Sequence, residues 1–122
     1  MSKKILWVDD VKDFLDLMEM EIIRRGYHFV AAYNGAEGLE MALSEKPDLI
    51  FLDIMMPVMN GFEMFQKLKV SKGYNQAPVI MVSAKNDTET METIKDLGVH
   101  DYIWKPELKA KLDKMLKEYL KS

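Results

Sequence analysis

The chain has 122 residues, 17 basic against 20 acidic side chains, a net charge of −3 and no cysteine. That length suits a single domain that buries an apolar core without disulfide or metal staples, and the charge offers no footprint for direct nucleic-acid binding. Without cysteine there is no disulfide framework and no thiolate nucleophile, which fits a cytoplasmic protein. The opening Ser2-Lys3-Lys4-Ile5-Leu6 enters a strand at once and then meets two aspartates, so it reads as neither signal peptide nor membrane span.

Strand and helix patterns alternate along the chain. The first strand is predicted over Lys4 to Val8 and is closed by Asp9 and Asp10. A helix follows from Lys12 to Arg25, with Phe14, Leu15, Met18 and Ile22 on one face. Acids near its start and arginines at its end complement the helix dipole, and Gly26 stops it. The second strand spans His28 to Ala32, and Asn34-Gly35 turns the chain into a helix over Ala36 to Ser44. Gly38 inside that helix lowers its propensity by about 1 kcal/mol relative to Ala.

The third strand, Leu49 to Asp53, is an unbroken apolar run ending in a carboxylate, as expected of a strand covered on both faces. Past Met56-Pro57, Asn60 with Glu63 three residues on forms a capping-box pattern for a helix reaching Ser71. The fourth strand is Val79 to Ser83. Asn86 and Glu89 can cap the next helix and Gly98 can end it, but only Met91, Ile94 and Leu97 form its apolar stripe, among three threonines. Threonine is a poor helix former, so this helix is expected to be loosely held. The fifth strand is Tyr102 to Trp104, and the last helix, Glu107 to Leu120, carries Leu108, Leu112, Met115, Leu116 and Tyr119 at core spacing. Five such units with right-handed crossovers predict an α/β fold, a three-layer (βα)5 doubly wound parallel sheet.

In such a sheet, ligands bind outside the carboxyl ends of the strands. Asp9, Asp10 and Asp53 converge on that rim, and so does Lys105, which closes the fifth strand. Any one aspartate there reads as a solvated loop charge. Three together repel one another unless a cation intervenes, and Mg2+ suits them because it needs only one or two carboxylates and keeps room for a phosphoryl oxygen. Lys105 then supplies a fixed positive charge, and Ser83 a hydroxyl. Metal, ammonium and hydroxyl together serve phosphoryl transfer, whose transition state needs mainly positioning and neutralisation. An aspartate can be the acceptor, and Asp53 is the natural candidate.

At these residues the sequence resembles the receiver domain of two-component response regulators, along essentially its whole length. The matching pieces are Ile5 through Asp10, Pro47 through Asp53 with Met56-Pro57 and Asn60-Gly61, Val79 through Ala84, and Gly98 through Pro106. The resemblance implies a flavodoxin-like strand order, 2-1-3-4-5. It implies that Asp53 accepts phosphate from a sensor histidine kinase or histidine phosphotransfer protein. Asp9, Asp10, Asp53 and the backbone carbonyl of Met55 would surround Mg2+ or Mn2+, with Ser83 and Lys105 on the phosphoryl oxygens. Tyr102 and Ser83 would be the switch, altering the surface of the fourth helix, fifth strand and fifth helix for a partner or output domain. A cis Lys105-Pro106 bond is also implied. The product would be a phosphoprotein that catalyses its own phosphorylation and dephosphorylation, not an enzyme acting on other molecules.

The sequence departs from the family pattern in places. Val11 follows the acidic pair where an acid is common, Ser83 stands for the commoner Thr, and Glu107 stands where an aromatic often follows Lys-Pro. The last two helices lack the charge pattern of regulators that dimerise through that face, so a monomer or a weak phosphorylation-dependent dimer is expected. Nothing follows Ser122, which reads as either a stand-alone regulator or a receiver cut from a longer protein. Met55 and Lys85, two residues beyond Asp53 and Ser83, flank the approach of a hydrolytic water and cannot orient it as an amide or carboxylate would; slow dephosphorylation follows.

Other readings fare less well. A dehalogenase-type phosphatase needs a second aspartate two positions after the nucleophile, where Val11 and Met55 stand. A flavodoxin needs a Ser/Thr/Gly loop after the first strand, and a dinucleotide binder needs Gly-x-Gly-x-x-Gly; neither is present. His28 and His100 lack metal-ligand spacing. The serious competitor is a receiver fold working without phosphate, as an interaction module.

Overall fold

The structure is a computed structural model that describes residues 2–120. Its elements are β1 (Lys4–Val8), α1 (Lys12–Arg24), β2 (His28–Ala32), α2 (Gly35–Glu45), β3 (Leu49–Asp53), α3 (Gly61–Lys69), β4 (Val79–Ser83), α4 (Thr88–Leu97), β5 (Asp101–Trp104), a 3-10 turn (Lys105–Glu107) and α5 (Leu108–Tyr119). All strand pairs are parallel, in the order β2-β1-β3-β4-β5.

Period-two alternation splits the sheet's side chains between two cores. Ile5, Trp7, Leu49, Phe51, Ile80, Val82 and Ile103 face α1 and α5, meeting Leu15, Met18 and Ile22 from one and Leu108, Leu112, Met115 and Leu116 from the other. Leu6, Val8, Ile50, Leu52, Val79 and Met81 face α2, α3 and α4. Every residue of β3 and β4 is buried, which is why both read as continuous apolar runs.

Gly38 explains itself here. A Cβ on it would stand 2.8 Å from Val8 Cγ1 and from Met64 Sδ, so its low helix propensity is the cost of seating α2 tightly against β1 and α3. The Asn60–Glu63 capping box forms as predicted. At α4 the cap is Asp87 rather than Asn86: its carboxylate accepts from the Thr90 N–H at 3.1 Å and from the Thr90 hydroxyl at 2.8 Å. Only Ile94 of α4 is fully buried, so the helix is thinly anchored.

One expectation is corrected at the end of β5. The described residues contain no cis peptide bond, so Lys105-Pro106 is trans. Pro106 sits at the start of the 3-10 turn that leads into α5. Its fixed φ suits a first helical turn, and trans is the isomer an X-Pro bond ordinarily prefers.

Candidate functional site

The rim is built by strand ends. Hydrogen bonding of β1 runs one residue past the strand, the Asp9 N–H donating to the Ala32 carbonyl at 3.0 Å, and this draws Asp9 fully into the protein. Asp10, next along, is exposed. Asp53 is the last residue of β3 and is 7% exposed; Ser83 is the last of β4 and is 3% exposed. Lys105 follows β5 directly.

Asp9, Asp10 and Asp53 each offer a carboxylate oxygen within 4.8 Å of the others. Asp9 Oδ1 accepts from the Val11 N–H at 2.9 Å, and its Oδ2 accepts from Lys105 Nζ at 3.0 Å. Asp53 Oδ1 accepts from the Ile54 N–H at 3.0 Å. Burial first, then the neighbouring Asp9 charge, push the Asp53 carboxyl up to about 7, against the opposing pull of Lys105 and the Ile54 amide. Excess negative charge thus gathers on one half-buried spot of hard oxygen donors. That donor set fits a divalent cation of the Mg2+ class, with Asp10 open to solvent as the entry side.

Asp53 is also locked from behind. A Cβ on Gly61 would fall 2.3 Å from the Asp53 carbonyl oxygen, and the Gly61 N–H donates to the Ile54 carbonyl at 2.8 Å. Only glycine lets the start of α3 approach so closely, and the loop from Ile54 to Asn60 is thereby pinned beside the carboxylate.

The second half of the site lies between β4 and β5. Ser83 Oγ accepts from the Lys85 N–H at 3.0 Å, and the Tyr102 hydroxyl donates to the Lys85 carbonyl at 2.8 Å. Trp104 Nε1 donates to the Ala84 carbonyl at 3.3 Å. Met55, Ser83 and Lys85 line one open cavity of about 240 Å³, together with Ile54, Phe62 and Asp87. Met55 itself is 65% exposed. The structure therefore brings Asp9, Asp10 and Asp53 together in one place, while Ser83 and Tyr102 each bond the backbone of Lys85.

Two features of the rim escaped the sequence. Phe14, assigned there to the core stripe of α1, has its ring under the Lys105 ammonium, with Nζ 4.1 Å from the centroid. Its only signal was its place in the first turn of the helix after the acidic pair. Val58, in the loop after Asp53, has φ +69° although it is β-branched, and nothing in its neighbours announces this.

Comparison with known proteins agrees with the geometry. The family model for the response regulator receiver domain matches residues 5–117. The chain is 39% identical over 106 residues to the alkaline phosphatase synthesis transcriptional regulatory protein PhoP of Bacillus subtilis, covering 87% of this chain and 43% of that protein. It therefore spans less than half of that relative's length. Among solved structures, the Vibrio cholerae chemotaxis protein CheY4 superposes with a TM-score of 0.88 at 28% identity, over 98% of this chain and 99% of CheY4. The BeF3-activated receiver domain of Klebsiella pneumoniae RstA gives 0.87 at 27% identity, over 98% and 99% of the two chains. With five parallel strands in this order and acidic residues gathered at their carboxyl ends, the chain belongs to the response regulator receiver domain family, the phosphorylated signalling modules of two-component systems.

Proposed function

We propose that Asp53 is the phosphoacceptor and that Asp9, Asp10, Asp53 and the Met55 carbonyl hold Mg2+ while the transfer occurs. The observation that carries this reading is the convergence of the Asp9, Asp10 and Asp53 oxygens within 4.8 Å, with the Lys105 ammonium held on one of them. An oxygen of the Asp53 carboxylate attacks the phosphorus of a phosphohistidine on a sensor kinase or phosphotransfer protein. The P–N bond breaks, the imidazole leaves with its electron pair and takes a proton from solvent, and an acyl phosphate remains. Bound Mg2+ would neutralise phosphoryl oxygens during that step. Lys105 turns from Asp9 to one of those oxygens, and Ser83 gives its hydroxyl to another.

The present hydrogen bonds support a switch. Lys85 is tied to Ser83 through its N–H and to Tyr102 through its carbonyl. When Ser83 turns toward the phosphoryl group, both ties loosen, Tyr102 is freed to rotate inward, and the thinly anchored α4 shifts with respect to β5 and α5. A partner or output domain reads that changed face. Among the described residues no helix is long and apolar enough to cross a membrane, and a cytoplasmic monomer or weak phosphorylation-dependent dimer completes the reading.

Intact mass after incubation with acetyl phosphate and Mg2+ tests it. A gain of one phosphoryl group that Asp53→Asn abolishes supports the proposal. No gain in the unsubstituted chain favours an interaction module that works without phosphate.

A further inference from the structure

The Lys105 ammonium has a second neighbour that the transfer chemistry leaves unused. Its Nζ lies 4.1 Å from the centroid of the Phe14 ring while it donates to Asp9 at 3.0 Å. Its ion pair among the described residues is with Asp9, not Asp53, and the Lys105 side chain is only 24% exposed. The charge is partly withdrawn from water, which strengthens its attraction to the negative face of the ring.

The ring cannot easily turn aside. Phe14 meets Trp7 edge to face, with centroids 5.9 Å apart and planes at 73°. Trp7 is fully buried and stacks on Phe51 at 4.1 Å and 11°. Those two lie opposite each other on β1 and β3, so the aromatic column is anchored in the centre of the sheet. Its outer end presents a ring to Lys105 from the α1 side. Among the described residues the ammonium makes no ion pair with Asp53, so reaching a phosphoryl oxygen there would shift it from its seat between that ring and Asp9.

We propose that Phe14 is a positioning residue: its ring fixes the resting place of the Lys105 ammonium, and the strength of this contact sets how readily the site takes up a phosphoryl group. The inference rests on Asp53 being the acceptor. Because the contact exists at rest and is given up on turning, weakening it favours the phosphoryl-bound state. The ring acts through Lys105 and touches neither metal nor phosphate.

Fluorinated rings test this, because they keep the shape of phenylalanine while draining the negative face. The full chain is prepared with Phe14, Phe14→para-fluorophenylalanine and Phe14→pentafluorophenylalanine. Beryllofluoride binding in Mg2+ is followed by tryptophan fluorescence, and the ε-methylene of Lys105 by NMR with labelled lysine, assigned by its loss in Lys105→Met. At rest the methylene signal is expected upfield, shifted by the ring current, and beryllofluoride should remove that shift. The binding midpoint should fall in order of fluorination, by about two- to fivefold overall. Equal midpoints for the three rings, or a resting methylene signal without the ring shift, overturns the proposal. The para-fluoro variant carries the test if the pentafluoro ring disturbs folding. Absence of beryllofluoride binding by the unsubstituted chain overturns the phosphoacceptor reading and this inference with it, whereas binding without ring dependence overturns this inference alone.

Discussion

Lys105 Nζ donates to Asp9 Oδ2 at 3.0 Å, and Asp9 has no exposed surface. The Asp9 charge is therefore balanced at rest by a side chain from the far end of the sequence, 96 residues away. Removing one partner of such a pair leaves the other charge buried, which costs more than the pair contributes. Lys105→Met is expected to lower metal-free stability by about 2–3 kcal/mol, less than a fully buried pair would lose because Lys105 reaches solvent. Mg2+ should restore part of that loss, since a cation can take over Asp9. Urea unfolding with chelator and with Mg2+ measures both effects; a variant as stable as the parent in chelator contradicts the expectation.

Asp53 gives a pH dependence of defined sign. Its folded pKa, about 7, lies above the usual carboxylate range, chiefly through burial. The native state thus binds the proton more tightly than the unfolded chain. The penalty for ionising Asp53 is absent below about pH 4, builds as pH rises to about 7, where the native carboxyl ionises, and is constant above that. Asp53→Asn, a neutral isostere, should therefore stabilise the metal-free protein by roughly 4 kcal/mol at pH 8 and hardly at all at pH 4. Denaturant midpoints across that range check the slope, and a gain independent of pH would assign it to packing instead.

The sheet was legible because burial on both faces leaves an unmistakable pattern: β3 and β4 read as apolar runs, and each ends in a polar residue, Asp53 or Ser83, that the fold sets on the rim. Site residues could be named because a parallel sheet delivers all strand ends to one edge. What stayed hidden depends on three-dimensional competition. Asn86 and Asp87 are both competent caps, and only the path of the chain into α4 selects Asp87. The isomer of Lys105-Pro106 is set by the fold around it, and here it is trans. Phe14 satisfied a helix stripe so well that its second face, toward Lys105, left no mark.

Val58 stores strain beside the site. It holds φ +69°, a left-handed conformation that β-branched residues rarely adopt, while its side chain is 82% exposed and packs on little. Val58→Gly relieves the steric cost and loses almost no burial, though glycine returns some entropy to the unfolded chain. A net stabilisation of about 1 kcal/mol is expected, read as a higher urea midpoint at unchanged slope. Val58→Ala should gain less, because it keeps a Cβ. If glycine destabilises instead, the loop is held by contacts of the valine that outweigh its backbone strain.

If Asp53 is the acceptor as proposed, what flanks it should set the lifetime of the acyl phosphate. Hydrolysis requires water in line with the breaking P–O bond, and in the proposed reading Met55 and Lys85, which line a cavity with Ser83, flank its approach. A thioether cannot hold water in place, and the Lys85 ammonium can donate to it but cannot accept its proton. The phosphorylated chain is therefore expected to decay over minutes or longer. Met55→Asn adds a carboxamide that can both accept from and donate to that water at the same exposed position, so it should shorten the lifetime by about tenfold. Because Met55 is 65% exposed, the change should leave stability nearly untouched, which separates an effect on water from one on folding. Loss of the phosphoryl mass after donor removal gives both rates. A half-life of seconds in the unsubstituted chain, or no acceleration by Met55→Asn, would mean that some other group already orients the water.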